Sequence, residues 1–382
     1  MKKKTMLFLL ALVMTIALLG CQSESAQPTE APTEPIPTQA IVAANESAAT
    51  EAPTEAPTEA PTEEPTEAPT EEPTEPPVVY RNPLTGEILD EPWTVRPVAV
   101  SIGNKRTALP HVGTANASLY FEMYVNGYTT RGLAFYSDIR EAEKVGSVRS
   151  WRYNFTELAV GYDAIGAHTG GSDEVMSDVA AKHINHMNIL SVSSVGYRDK
   201  ERQQAGYDLE DTAMLNGQGL YDYFQKKDVR LTLDPEKDYG LNFTEDGTPE
   251  GGETANLVNV KFVYKEGSKT SIFTYDETLG KYIYTQYGKG ISSVTDETRE
   301  PFENVFVVLT KVENKGIYHV AELLGSGEGY YACGGKIIKI LWSRENPEGV
   351  FTFTLEDGTP LVQGVGNSYI GICPLTSKIT WE

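Results

Sequence analysis

The segment 163–172 has a residue pattern that could bind an anion. We predict an apolar strand through His168, followed by a turn at Gly170–Gly171 and a helix that begins at Ser172. Backbone N–H groups at such a turn and helix start can point toward negative charge. Two acids follow Ser172 directly and oppose a second anion, because acids in a first turn already complement the helix dipole. The pattern therefore fits either an anion site or an ordinary tight turn with a serine cap.

Two arginines add to the candidate site. Arg149 and Arg152 stand three residues apart where a turn is predicted to enter a helix, so both side chains can point the same way. The guanidinium fork suits carboxylate or phosphate. In an acidic protein these arginines can instead be neutralised within the fold by Glu122, Asp163 or Glu157. Both interpretations stay open.

The histidines give weaker indications of chemistry. His168 and Asp163 are five residues apart, an odd separation, so they lie on opposite faces of one strand and cannot act together there. A lone histidine is more often a hydrogen-bonded structural residue than a catalyst. His183 and His186 are one helical turn apart, but no His-Glu-x-x-His pattern accompanies them. We therefore predict no metal site.

Familiar catalytic motifs are absent from the sequence. It contains no Walker loop, nucleophile elbow, kinase signature or dinucleotide-binding fingerprint. We therefore predict no cofactor and favour a protein that is not an enzyme. Cys333 and Cys373 cannot form a CxxC redox pair, but both lie near predicted strand ends of an exported chain. We predict a disulfide between them, with two isolated thiols as the alternative.

The candidate residues need a scaffold, and residues 78–245 are predicted to form an α/β domain that provides it. Short apolar runs alternate there with segments of helical period. The predicted strands are Arg96–Ile102, Thr130–Tyr136 and Asp163–His168, and the predicted helices are Trp151–Gly161, Ser172–Met187 and Asn216–Lys227.

Residues 250–382 have a different texture, which predicts a mostly antiparallel β domain. Strand-length runs rich in Val, Ile, Tyr, Phe and Thr are separated by turn signals such as Gly334-Gly335 and Asp357-Gly358. A stretch rich in Pro, Gly and acids, residues 233–256, precedes them and is typical of a domain boundary. The predicted strands are Leu257–Tyr264, Ser271–Tyr275, Lys281–Gln286, Asn304–Leu309, Ile317–Leu324, Lys336–Trp342, Val350–Leu355 and Ser368–Ile372.

The beginning of the chain predicts export and lipid anchoring. A cluster of lysines precedes the apolar run Met6–Leu19, which has the length of a signal peptide and is short for a membrane span. The run ends in a Gly-Cys step that resembles a bacterial lipobox. We therefore predict a lipoprotein signal peptide at 1–20 and a lipidated Cys21 that binds the cell membrane on its extracytoplasmic face.

Residues 21–77 are predicted to be a disordered tether. The stretch 22–77 holds 12 of the 22 prolines and 13 glutamates, with no glycine, aromatic residue or base. It offers almost no apolar surface to offset the entropy of ordering, and repeated Pro with Glu favours an extended chain. The whole chain has a net charge of −22, which argues against nucleic acid or an anionic lipid surface as a partner.

A series of short motifs resembles the YerB-like family of bacterial lipoproteins. The N-terminal motifs are Asn82-Pro83-Leu84-Thr85-Gly86, Arg96-Pro97-Val98-Ala99-Val100, Gly146-Ser147-Val148-Arg149-Ser150, Tyr162-Asp163-Ala164-Ile165 and His168-Thr169-Gly170-Gly171. The C-terminal ones are Gly325-Ser326-Gly327-Glu328-Gly329-Tyr330-Tyr331 and Ile340-Leu341-Trp342. The resemblance covers essentially all of residues 80–382 and implies a family-specific N-terminal domain, a β-rich C-terminal domain and no established activity.

The chain also departs from this family pattern at polar positions. Acids are usual where it has Gly103 and Asn126, and a Pro-His-Asn step is usual where it has Gly206-Tyr207-Asp208. If those residues form a reactive centre, much of it is lost here. The matching positions are Glu122, Arg131, Arg149, Arg152, Asp163, His168, Gly170 and Gly171.

These observations predict a lipid-anchored binding or accessory protein of the cell envelope. Its partner would be an envelope protein or a small anionic ligand, bound near Glu122, Arg131, Arg149, Arg152, His168, Gly170 and Gly171. The alternative is an enzyme that acts on an anionic component of the cell wall or membrane, with His168, Glu122 and the arginines as its site. That alternative requires His168, Glu122 and Arg149 to meet in one pocket.

Overall fold

The structure is a computed structural model that describes residues 79–287 and 300–382. The predicted signal peptide at 1–20, Cys21 and the tether to residue 77 lie outside these ranges, so those predictions stay predictions.

The described chain contains four α-helices and a larger number of strands. The helices are α1 (Tyr153–Gly161), α2 (Asp173–Ala181), α3 (Lys200–Gln204) and α4 (Gly217–Lys226). The strands are β1 (Tyr80–Arg81), β2 (Ile88–Leu89), β3 (Val98–Gly103), β4 (Leu119–Asn126), β5 (Thr129–Tyr136), β6 (Val145–Gly146), β7 (Ile165–His168), β8 (His186–Asn188), β9 (Gly196–Arg198), β10 (Ala213–Leu215), β11 (Phe243–Thr244), β12 (Glu253–Thr254), β13 (Leu257–Tyr264), β14 (Gly267–Asp276), β15 (Lys281–Gln286), β16 (Glu300–Phe302), β17 (Asn304–Thr310), β18 (Val312–Lys315), β19 (Tyr318–Ala321), β20 (Gly325–Cys333), β21 (Lys336–Arg344), β22 (Thr352–Thr354), β23 (Gln363–Gly364), β24 (Ser368–Pro374) and β25 (Lys378–Trp381).

One central sheet runs through both parts of the chain. Its main strand order is β12-β21-β20-β17-β24-β4-β5-β3-β7-β8, so strands from the C-terminal part continue the sheet of the N-terminal part. The junction is the pair β24 and β4, which run parallel with Tyr369 opposite Tyr120. A second sheet, of order β16-β15-β14-β13-β25, belongs to the C-terminal part alone.

The central sheet separates two hydrophobic cores. Side chains of a strand point alternately to the two faces, so Tyr120 and Tyr124 of β4 lie in one core and Phe121 and Met123 in the other. The core of Tyr120 includes Phe262 and Phe273 of the second sheet, and we call this side the β face. The opposite core contains apolar residues of α1 and α2, and we call that side the α face.

The predicted fold class is confirmed, with a mixed α/β N-terminal part and a mostly antiparallel C-terminal part. The helix predicted over Asn216–Lys227 is present as α4, and the Asn216 side chain caps it by accepting a hydrogen bond from the Gly219 N–H. The helix predicted over Ser172–Met187 is too long. It ends at Ala181, and His183 adopts a positive φ of 52° before β8 begins.

The predicted disulfide is wrong in this structure, where Cys333 and Cys373 are both free and buried. Cys333 lies in the core of the α face and Cys373 in the core of the β face. The central sheet therefore stands between the two sulfur atoms. The sequence indicated that both cysteines lie near strand ends. It did not indicate the face of the sheet on which each side chain lies.

Candidate anion-binding site

The candidate arginines lie beside the carboxyl ends of parallel strands in the central sheet. Strands β3 and β7 are parallel, as are β7 and β8, so Gly103, His168 and Asn188 all lie at carboxyl ends of strands. Arg131 joins them because antiparallel β5 begins there, with Arg131 opposite Gly103. In open α/β sheets ligands bind in the crevice outside the carboxyl ends of the strands.

Arg131, Arg149 and Arg152 form what we call the arginine cluster. Arg131 is only 4% exposed, and its Nη1 donates to the Ser150 carbonyl at 2.6 Å. Nη1 of Arg152 donates to the Trp151 carbonyl at 2.7 Å and lies 3.4 Å from the Ser150 carbonyl oxygen, so the acceptors of both guanidinium groups are neutral. Among residues 79–287 and 300–382, no carboxylate forms an ion pair with Arg131 or Arg152.

The positive charges of the arginine cluster are buried and repel one another. Burial, followed by repulsion from Arg152 and Arg149, holds the pKa of Arg131 well below its ordinary value. The smaller attractions of Glu210 and Asp211 oppose this shift. Burial is also the main cause that lowers the pKa of Arg152. The Nε atom of Arg152 is buried without a hydrogen-bond partner among the described residues. An added anion would relieve both the repulsion and the missing hydrogen bond.

Arg149 differs from its two neighbours because it is neutralised. Its Nη2 lies 2.9 Å from Oε2 of Glu210, and its Nη1 donates to the buried carboxylate of Asp211. The side chain passes so close to the backbone of Gly103 that a Cβ there would lie 2.8 Å from the Arg149 Cγ. Internal pairing, one of the two interpretations of the sequence, therefore holds for Arg149, with acids that the sequence did not indicate.

The three acids proposed as partners of the arginines have other partners. Asp163 pairs with Arg96 at 3.1 Å and with Arg230 at 2.6 Å, and Glu157 lies 3.6 Å from Arg344. Glu122 pairs with a lysine on the opposite face of the sheet, as described below. Arg131 and Arg152 consequently have no ion pair with a carboxylate from this set.

His168 is a structural residue. Its Nδ1 accepts the Gly170 N–H at 2.8 Å, so its Nε2 carries the proton and donates to Nδ1 of His186 at 2.9 Å. Burial and the neighbouring His186 lower the pKa of His168 to about 3, and the hydrogen bond to Gly170 has a smaller effect in the opposite direction. His168 therefore adds no positive charge to the arginine cluster near neutral pH.

The buried, neutral His168 should make the protein less stable in mild acid. The unfolded chain, with a histidine pKa near 6.5, binds a proton that the folded chain does not, so stability is full above this value and falls below it. We expect His168 to reduce the free energy of unfolding by about 1 kcal/mol between pH 7 and pH 5.5. Denaturant titrations should show a smaller loss in His168→Asn, and an unchanged pH dependence in that variant would contradict the assignment.

The Gly170–Gly171 turn leads into a helix capped by serine, as one of the two interpretations of the sequence predicts. The Gly170 N–H is used by His168, and the Gly170 carbonyl accepts the Trp151 N–H at 2.7 Å. The Ser172 hydroxyl caps α2 by accepting the Val175 N–H at 3.4 Å. Gly170 has a φ of 100°, which explains the glycine there. The turn supports the arginine cluster indirectly by holding the backbone of Trp151.

Glu122 is not part of the arginine cluster. It lies on the β face with Tyr120 and Tyr124, whereas Arg131 lies on the α face with Leu133. Glu122 is fully buried and pairs with Nζ of Lys269 at 2.5 Å. Five further groups donate to its carboxylate at 2.6 to 2.9 Å, namely Asn104, Thr130, Ser271, Tyr284 and Tyr369.

Glu122 remains an anion in spite of its burial. Burial alone raises its pKa, but the charge of Lys269 and the hydrogen bonds from Lys269, Ser271 and Thr130 outweigh it, so the pKa is lowered. Burial and the charge of Glu122 in turn hold the pKa of Tyr369 well above its ordinary value. Glu122 and Lys269 are 0% and 1% exposed and neutralise each other, so we interpret this pair as structural.

The structure does not assemble the set required by the enzymatic alternative. Glu122 and His168 lie on opposite faces of the sheet, Arg149 is neutralised and His168 is buried as a neutral base. Of the seven predicted ligand-binding residues, the structure groups Arg131, Arg149 and Arg152, and it places His168 and Gly170 in the turn behind them.

Comparisons with known proteins agree with this architecture. A family described as "Protein of unknown function (DUF3048)" matches in two parts, its N-terminal domain at residues 84–230 and its C-terminal domain at 258–370. The chain is similar to the putative lipoprotein YerB of Bacillus subtilis, with 27% identity over 300 residues that cover 76% of this chain and 86% of that protein.

A solved structure is also similar. The crystal structure of the YerB protein from Bacillus subtilis superimposes with a TM-score of 0.65 and 22% identity, covering 78% of this chain and 99% of that one. This likeness supports the fold. Within the described ranges, no helix is both long and apolar enough to cross a membrane. The chain belongs to the two-domain family described as DUF3048, a family of unknown function.

Proposed function

We propose that the protein is a lipid-anchored accessory protein of the cell envelope that binds an anionic ligand at the arginine cluster. The observation that carries this proposal is Arg131, a guanidinium group with 4% exposure, a neighbouring arginine and no carboxylate partner in the described part of the chain. Buried charges are normally paired. A ligand anion would supply the missing partner.

The chemistry of the cluster favours an oxoanion. Guanidinium groups donate paired N–H bonds that match the oxygen spacing of phosphate and carboxylate. Both guanidinium groups lie beside the Ser150 carbonyl, so we propose that one oxoanion binds to both of them. Binding without catalysis is favoured because neither His168 nor Glu122 is placed to act as an acid or base on such a ligand.

The lipid anchor is proposed on the lipobox-like end of the apolar segment and on the similarity to a putative lipoprotein. We expect Cys21→Ala to stay unprocessed or to be released from the membrane fraction, because no thiol remains for the diacylglyceryl group. Fractionation with mass spectrometry of the N-terminus would check this. A membrane-bound Cys21→Ala protein with the same mature N-terminus as the wild type would contradict the proposal.

Anion titration tests the proposed ligand class. Inorganic phosphate and acetate are titrated into the full chain at constant ionic strength, and the melting temperature is recorded, since a ligand of the folded state raises it. Arg152→Ala should weaken the response by about tenfold or more through the loss of charge-assisted hydrogen bonds. Arg140→Ala is the matched control, because Arg140 follows the opposite end of β5 and pairs with Asp138.

Two results would overturn the proposal. One is the absence of a response to both anions in the wild type. The other is an equal loss of response in Arg152→Ala and Arg140→Ala, which would indicate a general effect of surface charge.

A further inference from the structure

A row of cations and tyrosines continues outward from the arginine cluster. The guanidinium carbon of Arg152 lies 5.2 Å from the ring centre of Tyr318. The rings of Tyr318 and Tyr153 meet edge to face at 5.9 Å, and Nζ of Lys315 lies 3.8 Å from the ring centre of Tyr153. We call these four residues the cation–tyrosine row. Its inner end is the arginine cluster, and its outer end is an exposed lysine.

Both parts of the chain build this row. Arg152 and Tyr153 stand at the start of α1, whereas Lys315 and Tyr318 face each other across the hairpin of β18 and β19. The hairpin is fixed against the central sheet, because Tyr318 pairs with Asn126 of β4. The spacing between the inner and outer cations is therefore set by two elements that are each held by backbone structure.

The two cations of the row are both available to a ligand. Neither Lys315 nor Arg152 forms an ion pair with a carboxylate among the described residues. Lys311 on the same β-hairpin segment is neutralised by Glu313 at 2.5 Å, so Lys315 is distinguished from its neighbour. Contact with a tyrosine face attracts each cation without neutralising its charge.

We infer that the ligand carries two or more anionic groups in a linear arrangement, one bound at the arginine cluster and the next at Lys315. This inference rests on the proposed function and specifies its substrate class. A ligand with a single anionic group would leave Lys315 unused. A long polyanion of unrestricted size is disfavoured by the net charge of −22, whereas a short linear one can use the row locally.

Chain-length dependence tests the inference. Phosphate, pyrophosphate and tripolyphosphate are titrated into the full chain at constant ionic strength by calorimetry. We expect tripolyphosphate to bind about tenfold tighter than phosphate, because a second group gains a charge-assisted contact. Lys315→Ala should remove this advantage of tripolyphosphate over phosphate, whereas Arg152→Ala should weaken the binding of all three anions. Lys261→Ala, at an exposed lysine of β13, is the matched control.

The outcomes separate this inference from the proposed function. Equal affinities for the three anions, or equal effects of Lys315→Ala and Lys261→Ala on tripolyphosphate, would overturn the inference while phosphate binding sustains the arginine site. Failure of all three anions to bind would overturn both. Since Lys315 lies exposed at a hairpin end, its replacement by alanine leaves the core untouched, and circular dichroism of the variant would verify this.

Discussion

Replacing Lys269 with methionine should lower the free energy of unfolding by about 3 to 5 kcal/mol, the typical cost of breaking a buried ion pair from one side. Lys269 and Glu122 are 1% and 0% exposed, and their charged atoms lie 2.5 Å apart. Methionine fills a similar volume but leaves the carboxylate buried without its counter-charge. Denaturant-induced unfolding of the full chain, followed by tryptophan fluorescence, would measure the loss.

A double-variant cycle separates the ion pair from simple packing. Glu122→Gln alone leaves a buried ammonium group and should also destabilise the protein. The combination with Lys269→Met removes both charges, so we expect it to be less destabilised than the sum of the two single variants. Lys261→Met, at an exposed position on neighbouring β13, controls for the loss of a lysine. Strict additivity of the two single effects would contradict a direct pair.

The same pair predicts a dependence on pH. The folded pKa of Glu122 is lowered, so its contribution to stability is present above the ordinary carboxyl pKa of about 4.3 and is lost as the pH falls through the folded value. Without Lys269, burial should instead raise this pKa. The loss in free energy of unfolding that Lys269→Met causes should therefore be smaller in acid, where Glu122 takes up a proton.

The sequence predicted the secondary structure better than the pairing of the charged residues. The α/β start and β-rich end followed from local periodicity, as did the helix that begins near Asn216. Strand β4 was not predicted, because its sequence is buried on both faces and lacks a simple alternation of apolar and polar residues. Strand β20 was also missed, because its glycines read as a turn.

The partners of the charged residues depend on contacts that local patterns cannot show. Glu122 and Lys269 are 147 residues apart, and Arg149 and Asp211 are 62 apart. One signal was present: Lys269, Ser271 and Phe273 alternate along β14, so a period of two would have placed the lysine on the buried face. A buried lysine in turn implies a buried acid, for which Glu122 was a candidate.

Arg131→Met should change the free energy of unfolding in the opposite direction from Lys269→Met. We expect it to raise the free energy of unfolding by about 1 to 3 kcal/mol in anion-free buffer, because it removes a buried charge that neighbouring arginines repel. The lost hydrogen bond to Ser150 offsets part of this gain. At the same time the variant should lose the stabilisation by phosphate, since the central guanidinium group of the site is gone.

The sign of the change in the free energy of unfolding distinguishes a binding site from a structural role. In a ligand-free binding site a charged residue destabilises the fold, whereas a structural residue stabilises it. Arg344→Met is the matched control. Arg344 is 1% exposed and Arg131 is 4% exposed, so both are buried. Unlike Arg131, Arg344 lies beside a carboxylate, that of Glu157, and it also donates to the carbonyls of Gly349, Glu157 and Pro347. Its replacement should therefore destabilise the protein by about 3 kcal/mol. If Arg131→Met destabilises the protein as Arg344→Met does, Arg131 is a structural residue and the anion site loses its main support.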